Sequence, residues 1–418
     1  MKSGKAGNQA ADRGGQSDNA CGKTPKAHVE GTHRLVSPEE TWRRIEPLFP
    51  RFGITRVADL TGLDRIGLPV AAAVRPQSRS VAVSAGKGLS LAAAKVSAAM
   101  EAIECAHAET IDRPLVFASR SEIAARHRPA DILDLPRVDG TRLTADTRFL
   151  WMEAIEIATG EPVMVPYELV HAHYCPDALP AAGTFLATTN GLASGNAYAE
   201  AVCHGLFEVI ERDALNLWER LAPRQRNDRL VAHAFADAPH LGETMEQLGR
   251  AGFQIAIWDI TSDIGVPAFH CLIVDEQDPA GHPGTGTGCH PDKTVALYRA
   301  LSEAAQVRAV YISGGRDDIT RREYQSDHIQ AFRRTIEAGG KAPRRDFAAI
   351  ASTEYHYFED DIAWTARRLE EVGCGPILVA DLSLPDTGIF VVRVIVPGLE
   401  GPPEANAVAG RRAQEAAR

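Results

Sequence analysis

The sequence predicts an α/β protein in which mixed sheets carry packed helices, with a glycine loop and a following helix recurring along the chain. Three observations predict it. Short β-branched and apolar runs end at glycine clusters. Long proline-free stretches of strong helix formers follow three of those clusters. Each of these stretches carries polar residues at the same spacing.

Taken in order, Ser37-Pro38-Glu39-Glu40 joins an N-cap, a first-turn proline and a capping-box glutamate, predicting a short helix to about Glu46. Ser80 to Val83 reads as a strand entering the loop Ser84-Ala85-Gly86-Lys87-Gly88, with a helix from Leu91 to Ala108 beyond it. Phe149 to Ile157 and Pro162 to Val165 read as a hairpin around Ala158-Thr159-Gly160-Glu161. Phe185 to Thr189 reads as a strand running into Asn190-Gly191-Leu192-Ala193-Ser194-Gly195-Asn196, before a long helix from Tyr198 to Arg220. Gln254 to Ile260 and Ala268 to Val274 are successive strands, and the loop Gly284-Thr285-Gly286-Thr287-Gly288 precedes a helix from Lys293 to Ser313. Ile377 to Ala380 and Ile389 to Val396 supply two last strands. Residues 1–34 read as a disordered tail, 35–400 as the catalytic body, and 401–418 as a polar tail.

Composition narrows the function classes. With 44% apolar and 24% charged residues the chain is an ordinary soluble globular protein. Its longest apolar runs, Ile66 to Val74 and Ile389 to Val396, are too short for a membrane span, and Arg393 interrupts the second. Seven scattered cysteines with no C-x-x-C spacing favour reduced thiols in the cytoplasm over a disulfide frame. A net charge of −10 argues against nucleic acid as a partner.

The repeated spacing carries the chemistry. Ser97, Glu101 and Glu104 stand four and three residues apart, as do His204, Glu208 and Glu211, and again Arg299, Glu303 and Gln306. At roughly 100° per residue, such a trio falls within an arc of about 60° on one helix face. Each trio begins nine residues after the end of a glycine-containing segment, at Gly88, Gly195 and His290. A solvated face is the ordinary place for such residues. The neighbours here are mostly apolar, however: Ala98, Ala99, Met100, Ala102 and Ile103 in one helix, Leu206, Phe207, Val209 and Ile210 in another. Carboxylates on a buried helix must be paired, protonated or bound to metal.

Convergence of Glu101, Glu104, Glu200, Glu208, Glu211 and Glu303 calls for cations beyond Lys87, Arg212 and Arg299. Magnesium takes hard oxygen ligands and is commonly shared with phosphates, so a nucleotide fits, with the glycine loops allowing close backbone approach. Gly86-Lys87-Gly88 is not a Walker A loop, and Gly284 to Gly288 lacks the dinucleotide fingerprint. His171, His173 and Cys175 alternate as zinc ligands would on a strand, but no fourth ligand stands near. Cys105, His107, Cys289 and His290 offer thiol and base types that nothing in the sequence brings together. Arg316-Asp317-Asp318 fits a salt-bridge turn as well as a substrate contact.

Together these segments resemble the YcaO family, ATP-dependent enzymes that modify peptide backbone amides. The resemblance rests on Ser84 to Gly88 with Ser97, Glu101 and Glu104; on Asn190 to Asn196 with Glu200, Glu208, Glu211, Arg212 and Asp213; and on Arg299, Glu303, Gln306 and Arg308 with Ser313 to Asp318. It spans about residues 60 to 400 and implies the family's fold, with ATP and Mg2+ as cofactors. By resemblance, Ser97, Asn196 and Arg299 are nucleotide contacts. Glu101, Glu104, Glu200, Glu208, Glu211 and Glu303 are nucleotide ligands, all but Glu200 also holding magnesium. Lys87 and Arg212 are phosphate partners, and Arg212 and Arg299 balance charge during transfer. Two departures stand out: Cys105 occupies a position where relatives often carry arginine, and Pro397, Pro402 and Pro403 give way to a polar end rather than the proline-rich terminus of azoline-forming members. The resemblance therefore implies a peptide or protein substrate and a thioamide product, with an azoline as the alternative. It also implies a TfuA-like partner protein and leaves room for a homodimer. A metal-dependent hydrolase and a non-catalytic accessory protein remain as readings of other classes.

Overall fold

The computed structural model describes residues 22–418 apart from 145, 175–182, 237, 279, 317 and 341–343. Residues 1–21 of the expected tail, together with Cys175 and Asp317, therefore lie outside the described residues.

Twelve strands form three sheets among the described residues. The first contains β1 (Arg56–Asp59), β2 (Val70–Val74) and β3 (Val83–Lys87) in sequence order. The largest runs β4-β5-β11-β12-β7, from β4 (Val116–Ser119) and β5 (Arg148–Glu156) through β11 (Leu378–Asp381) and β12 (Phe390–Ile395) to β7 (Leu192–Gly195). There β6 (Pro162–Pro166) completes the expected hairpin with β5. The third sheet runs β10-β9-β8, built from β8 (Phe253–Asp259), β9 (Ala268–Asp275) and β10 (Gly284–Cys289). Every pairing between these strands is antiparallel, where mixed sheets were expected. For the consecutive pairs β1-β2, β2-β3, β5-β6, β8-β9, β9-β10 and β11-β12 the reason is local: their short links hold no crossover helix, which parallel pairing requires.

The helices of eight residues or more are α1 (Pro38–Ile45), α2 (Leu91–Glu109), α3 (Tyr198–Glu219), α4 (Pro239–Arg250), α5 (Lys293–Ser313), α6 (Ser326–Gly339) and α7 (Phe358–Glu371). Ser37 caps α1 by accepting from the Glu40 amide, as its motif dictates. Ser90 caps α2 and Asp292 caps α5 in the same manner. Helix α2 rests on β2 and β3, α3 on β7 and β12, and α5 on β9 and β10.

The expected glycine loops are in fact strands, β3, β7 and β10, and their glycines serve packing. A Cβ on Gly86 would lie 2.1 Å from the Ala98 nitrogen and 2.3 Å from the Ala94 oxygen. On β10, Gly284, Gly286 and Gly288 share one face, and Cβ atoms there would come within 2.1, 2.3 and 2.1 Å of the Ala304, Ala300 and Ala296 oxygens of α5. Strand backbone thus lies directly on helix backbone along a glycine–alanine seam, which brings the polar stripe of each helix close to its strand. Phe185 to Thr189 is not a strand; Phe185 makes one isolated bridge to Arg137.

Both ends of the described chain belong to the body. Lys26 forms an ion pair of 2.5 Å with Asp361, both almost fully buried, and the Thr24 amide donates to Glu359. The boundary expected at residue 34 therefore falls inside packed structure. At the other end Arg412 pairs with Asp213 at 2.9 Å and Asp263 at 2.6 Å. Asp213 is fully buried, so residues expected as a polar tail supply the cation that makes its burial tolerable.

Candidate active site

Helices α2, α3 and α5 bring most of the sequence-predicted carboxylates to one region, and specific side chains cross-link them. Glu104 on α2 accepts from the Ser194 hydroxyl of β7 at 2.5 Å. Glu211 on α3 accepts from the Thr287 hydroxyl of β10 at 2.7 Å. Glu303 on α5 lies 2.5 Å from the Lys87 Nζ of β3. Arg212 Nη1 donates to Thr287 Oγ1 at 3.1 Å, and that oxygen stands 3.4 Å from Glu303.

The charge balance is uneven. Burial pushes Glu101 up to about 7, with Lys87 and Arg316 offsetting part and Glu208 and Glu303 adding repulsion. Burial likewise lifts Glu104 to about 8, against the Ser194 hydrogen bond. Glu208 rises to about 7 through burial, partly offset by Arg212 and worsened by Glu211. Although Glu101 and Glu208 are only half-buried by exposed area, surrounding protein removes enough water for desolvation to dominate. Glu303 goes the other way: burial would raise it, but Lys87 and Arg212 hold it down to about 2.

A second group gathers around the start of α3. Glu200 is 2% exposed and accepts from the Leu35 amide at 3.0 Å, with Arg34 Nε 3.8 Å away. Asn196 donates to Thr41 of α1 at 3.0 Å. Arg299 lies 3.3 Å from His204 Nε2 and leaves its buried Nε without a hydrogen-bond partner among the described residues. Ser97 is half-buried on α2, one turn before Glu101.

Four neighbours of these groups were not singled out from sequence. Thr287 sat inside a supposed loop; read as a strand, the Gly-Thr-Gly-Thr-Gly alternation would have set it on the face opposite the glycines. Arg393 carried a signal, a charge inside an apolar strand: it is 2% exposed, leaves Nε and Nη1 without a hydrogen-bond partner among the described residues, and its charge acts on Glu208. Arg34 gave none, standing in a stretch of tail-like composition, and Ser194 looked like a loop residue.

The competing constellations fare differently. His171 accepts from the His173 amide, and burial holds its ring neutral by lowering it to about 4; the third expected ligand, Cys175, lies outside the described residues. Burial pushes the Cys105 thiol up to about 12 and raises Cys289 as well, which is unfavourable for a nucleophile. Arg316 pairs with Asp318 through Nε and Nη2, and its charge also reaches Glu101.

The residues fit a magnesium–nucleotide pair. Among the described residues no three His, Cys, Asp or Glu side chains form a preassembled metal cage. Magnesium does not need one, since it is usually held by one or two carboxylates together with phosphate oxygens and water. Glu101, Glu104 and Glu208 are hard oxygen donors lacking a full countercharge, and Arg299 and Arg393 hold unpartnered donors suited to anionic oxygens.

Fold and site thus define a nucleotide- and magnesium-dependent enzyme. Residues 85–400 match the family model described as YcaO cyclodehydratase, ATP- and Mg2+-binding. A protein of Rhizobium leguminosarum bv. trifolii encoded in the region 3′ of tfuA is 37% identical over 395 residues, covering 90% of this chain and 91% of its own. The structure of YcaO from Methanopyrus kandleri bound with AMPPCP and Mg2+ superposes with a TM-score of 0.72 at 25% identity, covering 90% of this chain and 94% of that one. A heterocyclase in complex with substrate and cofactor shares the fold at a TM-score of 0.75 and 22% identity; the match covers 91% of this chain and 54% of that longer one. The chain belongs to the YcaO family, with ATP and Mg2+ as its cofactors and peptide backbone modification as its class of reaction.

Proposed function

We propose that this enzyme converts a backbone amide of a peptide or protein into a thioamide, working in the cytoplasm with a TfuA-like partner. The observation that carries the ATP-dependent half is the convergence of α2, α3 and α5 carboxylates on one region, where burial outweighs the nearby cations at Glu101, Glu104 and Glu208. Support for the sulfur half comes from the relative encoded beside tfuA, which matches along nearly its whole length.

An amide resists attack because resonance ties its nitrogen lone pair to the carbonyl, leaving oxygen a poor leaving group. ATP bound with Mg2+ supplies a phosphoryl group that makes that oxygen a leaving group for an incoming sulfur. Glu101, Glu104, Glu208, Glu211 and Glu303 hold the metal ions in this assignment, and Glu104 is oriented by Ser194. Asn196, Glu200 and Ser97 would contact the nucleotide. Lys87, Arg212 and Arg299 stabilise phosphate charge, and Thr287 fixes the Arg212 guanidinium. No helix among the described residues is long and apolar enough to cross a membrane, and the five described cysteines are free and buried, as a reducing compartment allows.

Azoline formation is the second reading, favoured by the description of the matched family model as a cyclodehydratase. Mass spectrometry of a peptide incubated with purified enzyme, TfuA-like partner, ATP, Mg2+ and sulfide separates the two. Exchange of oxygen for sulfur is expected; loss of water at a Cys, Ser or Thr would overturn the thioamide assignment.

A further inference from the structure

A cleft of about 410 Å³ opens beside the carboxylate cluster, bordered on one side by Arg212, Thr287 and Glu303. Its other walls mix aromatic and apolar side chains with Glu219, Arg226, Thr285 and Thr335, and Trp218, Trp258 and His270 are the principal rings. These rings pack on one another, Trp218 to His270 at 4.9 Å and Trp218 to Trp258 at 5.6 Å between centroids. Arg226 covers the Trp218 face at 5.4 Å.

The polar atoms of this wall are unusual. Trp218 and Trp258 are 6% and 1% exposed, yet their indole Nε1 atoms have no hydrogen-bond partner among the described residues, and Arg226 Nε has none either. Buried donors are normally satisfied. Three unpartnered donors on residues lining one aromatic cleft therefore mark a place for a ligand that brings ring surface and acceptor oxygens together.

Helix α3 orders the site along its axis. Glu200 and Asn196 stand at its beginning, Glu208 to Arg212 at its middle, and Leu215, Trp218 and Glu219 of the cleft at its end. At 1.5 Å per residue, Trp218 is about 27 Å along the axis from Glu200, while Arg212 is about 18 Å from it. The cleft thus adjoins Arg212, Thr287 and Glu303 and lies at the far end of α3 from Glu200 and Asn196. We infer that this cleft binds the substrate peptide next to the reacting amide, lodging an aromatic side chain against the wall that Trp218, Trp258 and His270 form while its oxygens accept from the indole and Arg226 donors.

The assignment rests on the proposed function for its orientation, and its test separates the two. Calorimetric titration of the full chain with the capped tripeptides Gly-Tyr-Gly and Gly-Gly-Gly, with and without AMPPCP and Mg2+, is the measurement. Burying one aromatic side chain predicts at least about tenfold tighter binding of the tyrosine peptide. Trp218→Leu abolishes that preference, and Arg226→Met at the rim lowers it severalfold with AMPPCP binding retained. Equal affinity for the two tripeptides, or displacement of Gly-Tyr-Gly by AMPPCP, overturns the cleft assignment. Failure of AMPPCP and Mg2+ to bind, with the tyrosine preference intact, overturns the ATP-dependent function instead and leaves the cleft standing. If Trp218→Leu does not fold, the wild-type ratio and Arg226→Met decide.

Discussion

The two halves of the carboxylate cluster solve the problem of buried charge in opposite ways. Glu303 is flanked by Lys87 and Arg212 and stays ionised far into acid, so this half carries its own countercharge. Glu101, Glu104 and Glu208 have the same chemistry, yet burial outweighs their cationic neighbours, none of which among the described residues forms a direct ion pair like that of Lys87 with Glu303, and holds them up to about 7 or 8. One half is held ionised by the protein; in the other, burial favours the protonated form until a cation is supplied, as the proposed function requires. On the proposed assignment magnesium would go to the second half first, because a bound cation there would offset the cost of burying ionised carboxylates.

The largest test of that contrast is Glu208→Ala. Phosphate release from ATP with Mg2+ is expected to fall by about 10²- to 10³-fold, the scale for removing a charge-stabilising group from a transition state. The metal-free fold should meanwhile hold its melting temperature or gain slightly, since an uncompensated carboxyl has gone. Unchanged turnover would remove Glu208 from the ligand set. Lys87→Met reverses the sign on the other half. It strips Glu303 of its nearest cation while Arg212 remains, and urea denaturation should show a loss of about 1 to 3 kcal/mol. Equal stability effects from the two substitutions would erase the distinction between the halves.

How much of this could be seen in the sequence follows from the period of each signal. The helices α2, α3 and α5 and their stripes repeat every three to four residues over five or more turns, so Glu101, Glu104, Glu208, Glu211 and Glu303 could be grouped before any coordinate. The glycine segments misled because glycine alternation in a strand has the composition of a loop; only contact with Ala94, Ala300 and Ala304 reveals its purpose. Arg34, Lys26 and Arg412 stood in polar, tail-like stretches, and their partners Glu200, Asp361 and Asp213 are far away in the chain. Such long-range pairs leave no local pattern. The aromatic cleft was invisible for the same reason, since Trp218, Trp258 and His270 come from three different elements.

The finest test is the response to pH, where the two halves should again diverge. Unfolded glutamates release their proton near 4.5, whereas folded Glu101 and Glu208 keep theirs to about 7 and Glu104 to about 8. Between those values the folded chain binds more protons than the unfolded one, so these three groups make the metal-free fold lose stability as pH climbs from about 4.5 to 8. Glu303 acts oppositely: its folded value of about 2 adds stability that is complete above 4.5 and drains as pH falls toward 2. Metal binding requires the ionised carboxylates. The rise in melting temperature caused by Mg2+ with AMPPCP should therefore be larger at pH 8 than at pH 6, and Glu208→Gln should flatten that difference. A rise independent of pH would mean that the uncompensated half already holds its charge without the metal, and the contrast between the two halves would fail.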